Sequence, residues 1–95
     1  MKILILRVTI IIHGAVSLKD KRRVIRAIKD RIWSKFRASI SEIAEHDVKQ
    51  KAVLGIVYIS NEKNLLERIM NKMINLIDES FPGMLGDYEY TVEHY

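Results

Sequence analysis

Arg22, Arg26, Lys29, Trp33 and Arg37 are spaced by four, three, four and four residues. At 3.6 residues per turn they share one face of a helix. Cations in such a row neutralise phosphates, and an indole among them offers a surface on which a base or sugar can stack. That is the chemistry of binding rather than of bond cleavage. The surrounding stretch Ser17–Arg37 holds nine Lys/Arg and two Asp, a local balance of +7, whereas the whole chain carries +4, so the remainder sums to −3. Like charges four apart on a helix cost a few tenths of a kcal/mol each. The Arg22–Arg26 pair carries that cost, and Asp30 relieves it only partly. The expected nucleic-acid-binding set is Lys19, Lys21, Arg22, Arg23, Arg26, Lys29, Trp33 and Arg37. The competing reading is a solvated basic face with Trp33 in a subunit contact.

The rest of the chain must position that helix. Lys2–His13 reads as a strand, with Leu4, Leu6, Val8, Ile10 and Ile12 on one face by period two. Its other face mixes Ile3, Ile5 and Ile11 with Arg7, Thr9 and His13. Ser17 is a suitable N-cap, and Asp20 three residues on suits the positive helix end. Val24, Ile25, Ile28, Ile32 and Phe36 then form the stripe that faces the core. Ala38–His46 reads as a polar edge strand with a bulge near Ser41–Glu42, and helix is the rival for its second half. Lys51–Ser60 is apolar on both faces and belongs in the middle of a sheet. Ser60-Asn61 caps a second helix that runs to about Glu79 and ends at Phe81-Pro82-Gly83. Tyr88–Tyr95 alternates as a last strand.

The order β-α-β-β-α-β is that of a ferredoxin-like α+β domain: a four-stranded antiparallel sheet with two helices on one face, here one domain over residues 1–95. This leaves the second sheet face bare, although Ile3, Ile5, Ile11, Val53, Val57 and Ile59 are available to it. Apolar faces of that size rarely stay wet, so self-association through it, as a homodimer, is expected. Proteins with the RNA-recognition motif share the topology and stack bases on aromatic rings of the central strands. Val53 and Gly55 stand where such rings would be wanted, so RNA is expected on the helix and not on the sheet.

Other constellations are weaker. His13, Gly14 and Ser17, with the free N–H groups of the helix start, form a candidate anion nest; the plainer reading is a turn and a cap. Glu42, Glu45, His46 and Asp47, and likewise Glu93 and His94, lack metal-ligand spacing. Ser39, Ser41 and His46 are too close in sequence to suggest a triad. No catalytic residue, metal or cofactor is expected. The 95 residues contain no cysteine, which removes disulfides and thiol chemistry and fits a reducing compartment. The apolar N-terminal run is too short to span a bilayer, which needs ~20 residues, and it lacks a small-residue cleavage site. A soluble cytoplasmic protein is expected.

The run His13-Gly14-Ala15-Val16-Ser17-Leu18-Lys19-Asp20-Lys21-Arg22-Arg23-Val24 resembles the hallmark of the YlxP-like family, domain of unknown function 503. The similarity continues through Arg31, Phe36, Ser39–Ile43, Asp47, Gln50-Lys51-Ala52, Leu54-Gly55 and Ser60-Asn61. Val48 and Trp33 depart from the pattern. The resemblance implies a ferredoxin-like fold and no established enzymatic activity. It also implies association with RNA or the ribosome, because relatives are often encoded near translation-initiation and ribosome-maturation factors. The expectation is a non-enzymatic RNA- or ribosome-associated protein. The alternatives are an ACT-like small-molecule module, with ligand at a subunit interface, and a purely structural oligomerisation domain.

Overall fold

The computed structural model describes all 95 residues. The elements run β1 (Lys2–Ile11), α1 (Leu18–Phe36), β2 (Ser39–Ala44), β3 (Lys51–Ser60), α2 (Lys63–Ser80) and β4 (Leu85–His94). The sheet order is β2-β3-β1-β4, with every neighbouring pair antiparallel. This is the expected ferredoxin-like arrangement, with β1 and β3 central and β2 and β4 at the edges.

Leu4, Leu6, Val8 and Ile10 all lie buried on one side of β1, with Ile12 buried just past its end, and Ala52, Leu54 and Ile56 join them from β3. Their alternation follows from the period of two along a strand. Ile25, Ile28 and Ile32 of α1, with Leu66, Met70, Met73, Ile74 and Ile77 of α2, close over them, so the one core lies between the sheet and the helix pair. The opposite sheet face has no covering element: Ile5, Val57 and Ile59 are exposed on it.

Three elements differ from expectation. The β2 bulge sits at Ile43, between the Glu42↔Leu54 and Ala44↔Val53 pairs. Glu42 therefore faces the helices while Ile43, the extra residue, turns to the open face and leans over Gly55. Helix α2 starts later than Ser60-Asn61 would place it: its N-cap is Glu62, which makes no side-chain cap, and the Ser60 hydroxyl accepts the Glu62 N–H at 3.2 Å. Strand β4 begins at Leu85 rather than Tyr88, because Gly86 and Asp87 together oppose Thr9 between the Val8↔Tyr88 and Ile10↔Leu85 pairs. That irregularity hides the start of the strand from any period-two reading.

The two strand glycines should respond differently to substitution. A Cβ on Gly86 would lie 3.0 Å from the Thr9 backbone oxygen, whereas one on Gly55 would meet the Ile43 side chain, also at 3.0 Å. Backbone cannot give way, but a side chain can turn. Gly86→Ala is expected to cost about 1–3 kcal/mol and Gly55→Ala under about 1 kcal/mol, read by urea denaturation. Equal costs would contradict the contacts.

Candidate nucleic-acid interface

Helix α1 starts with a reciprocal cap. The Ser17 hydroxyl accepts the Asp20 N–H at 3.1 Å, and the Asp20 carboxylate accepts the Val16 N–H at 3.0 Å. The Val16 N–H bond, helped by the Ser17 hydroxyl and the Arg23 charge and opposed by some desolvation, holds the Asp20 carboxyl below its ordinary value of 3.8. The carboxylate thus occupies the position offered to an anion, and the candidate nest of His13, Gly14 and Ser17 gives way to the plainer reading, a turn and an internally satisfied cap. Because the folded value is lowered, Asp20 stabilises the fold above its unfolded value, and this is lost as pH falls through the folded one. The stability gap between wild type and Asp20→Asn should be full near neutrality and shrink below about pH 4. Thermal melts across that range check it; a gap independent of pH would contradict it.

The second correction concerns Lys21. Its ammonium is not offered to phosphates: the residue is 1% exposed. Its Nζ donates to the carbonyls of Glu45 (2.8 Å), His46 (3.2 Å) and Lys51 (3.1 Å) and lies 2.9 Å from Glu42 Oε2. An ammonium has three protons, and three carbonyls take them. Glu42 Oε2, which has no other hydrogen-bond partner, is held by charge. Glu45 adopts a left-handed backbone, φ 61°, a strained conformation for a residue with a Cβ, and its carbonyl takes the shortest of the Lys21 bonds. Gln50 completes the seam by donating to the carbonyls of His13 (3.1 Å) and Ala15 (3.2 Å). The signature run is thereby split by direction. Ser17 and Asp20 cap the helix and Lys21 ties its first turn to the β2–β3 hairpin, while Lys19, Arg22 and Arg23 are exposed.

The remaining cations do come together. Arg22, Arg26 and Lys29 line one wall of a groove of about 440 Å³ between α1 and the edge strand β2, which supplies Ser41 and Glu42, with His46 from the turn that follows; Asp30 is the acid on the helix side. None of these three cations is in an ion pair, since Lys21–Glu42 is the one salt bridge in the chain. At the far end Trp33 is 54% exposed. The Arg37 guanidinium lies 5.2 Å from its ring centroid, on a residue whose left-handed φ of 57° closes the helix. Lys19 and Arg23 are exposed near the helix start, outside the groove. Arg31 points elsewhere: it donates to the Ser80 hydroxyl at 3.3 Å and lies 5.9 Å from the Phe81 ring centroid.

No three His, Cys, Asp or Glu side chains cluster as metal ligands, and His46 Nε2, in the turn after β2, lies 3.3 Å from the Glu42 carbonyl. No helix is long and apolar enough to cross a membrane.

The family model described as "Protein of unknown function (DUF503)" matches residues 3–90. The chain is 40% identical over 72 residues to the uncharacterized protein YlxP of Bacillus subtilis (strain 168), spanning 76% of this chain and 77% of that one. Among solved structures it is similar in fold to SnoaB, a cofactor-independent oxygenase from Streptomyces nogalater, with a TM-score of 0.56 at 10% identity, covering 99% and 92% of the two chains. The 30S ribosomal protein S6 of Thermotoga maritima gives a TM-score of 0.52 at 10% identity, covering 98% and 89%. At that identity both likenesses show the fold alone.

Proposed function

The chain belongs to the DUF503 family, proteins of unknown function, and we propose that it is a non-enzymatic RNA-binding protein, acting on free or ribosomal RNA. The observation that carries this reading is the wall of Arg22, Arg26 and Lys29, free of ion pairs, leading to the Trp33–Arg37 pair. The row from residue 22 to residue 37 rises ~22 Å along the helix. Cations about one turn apart along that rise suit successive phosphates of a single extended strand. Arg37 covers one face of the indole and leaves the other to a base. The site residues are Arg22, Arg26, Lys29, Trp33 and Arg37, with Lys19 and Arg23 adding field at the helix start. The test is titration of a fluorescent single-stranded RNA with wild type and with an Arg22/Arg26/Lys29 variant in which all three become Ser or Ala. Equal binding by the two would overturn the reading.

A further inference from the structure

We infer that the open face of the sheet is the seat of a second copy of this chain, paired face to face about a twofold axis. The argument is independent of the RNA reading and rests on the opposite side of the molecule. Ile5, Ile43, Val57 and Ile59 are 42%, 48%, 41% and 58% exposed there, and the side chains around Gly55 enclose a hollow of about 590 Å³. The area is sufficient. Three ten-residue strands and one of six, at ~3.3 Å per residue and ~4.8 Å between strands, present roughly 600 Å² per copy. Two copies reach ~1,200 Å², the lower bound of a stable interface.

Charge selects the occupant. The face carries Arg7 opposite Glu89 in register, yet the two form no ion pair within the chain. With Arg7 and Lys51 against Asp87, Glu89 and Glu93, the face carries no net positive charge and does not attract a polyanion. A twofold axis crossing the strands beside Arg7 and Glu89 overlaps the full face, lets each Arg7 reach the Glu89 of the other copy and each Glu89 an Arg7, and sets side chains on one side of the axis against those from its other side in the second copy. The self-complementary patch is what an isologous contact requires. In such a dimer the two helix layers point away from each other, so both basic grooves stay open.

Sedimentation at tens of micromolar reads the result. Wild type is expected at the dimer mass. Val57→Lys is expected at the monomer mass with native helix content, and Ile59→Lys serves in its place should the first fail to fold. Arg7→Glu and Glu89→Arg should each weaken the dimer at least tenfold, and the double reversal should restore it. A monomeric wild type, or a dimer that both Val57→Lys and Ile59→Lys leave intact, overturns the proposal. A double reversal that does not recover the dimer overturns the Arg7–Glu89 pairing.

Discussion

Lys21→Met is expected to cost about 3–5 kcal/mol, because it removes one partner of a buried charged cluster and leaves the other groups behind. Met fills the stem's space but donates nothing to the carbonyls of Glu45, His46 and Lys51. Part of the loss is moderated because the Glu42 side chain, 19% exposed, can be rehydrated. For a domain of this size each kcal/mol lowers Tm by roughly 4–8 °C, so the melt should fall by about 12 °C or more. Arg22→Met, one residue along on the exposed face, should stay within about 0.5 kcal/mol of wild type. Glu42→Gln should cost less than Lys21→Met, because the three carbonyls keep their donor. Urea denaturation of the three variants checks the ranking. If Lys21→Met were as stable as Arg22→Met, the inward half of the signature run would not be the clamp that its hydrogen bonds describe.

The second large effect is on RNA affinity. Contacts from Arg22, Arg26, Lys29 and Arg37 to four phosphates of a single strand predict a slope of log affinity against log salt of about −3. Raising salt fourfold should then weaken wild type about 50-fold. Replacing Arg22, Arg26 and Lys29 together leaves one phosphate contact, a slope of about −0.7, and a loss of only about 3-fold over the same range. Trp33→Ala separates stacking from charge. It should cost about 1–3 kcal/mol of binding while leaving the slope unchanged. Fluorescence anisotropy at several salt concentrations distinguishes these cases. A flat wild-type slope would remove the phosphate contacts from the account.

The same helix shows what can be read from a sequence and what cannot. β1, β3 and both helices follow from periodicity, because each apolar stripe had one place to go, whereas the polar β2 and the irregular start of β4 show no such stripe. Lys21 was within reach of the same method. It stands four residues before Ile25, so 21, 25, 28, 32 and 36 form one stripe, and a wheel drawn from apolar residues alone leaves its first member out. No wheel shows why a lysine is tolerated there. The answer lies in a hairpin turn that brings three carbonyls together, with a left-handed residue at Glu45, and in a bulge at Ile43 that keeps Glu42 on the helix side. Both depend on pairing between segments distant in sequence. Asp20 was legible as a capping residue, and its occupation of the helix start follows from that cap. The groove itself was not legible, because Ser41 and His46 meet α1 only once β2 is placed at the sheet edge.

We propose that the outer face of α1 meets RNA in the cell. The most direct measurement is ultraviolet crosslinking in cells followed by sequencing of the attached RNA, comparing wild type with the Arg22/Arg26/Lys29 variant at equal abundance. Enrichment of defined RNA segments by wild type, lost in the variant whose fold and Tm are unchanged, is the predicted result. Recovery of the same RNA by both proteins, or no enrichment by wild type above an unrelated basic domain, would contradict it.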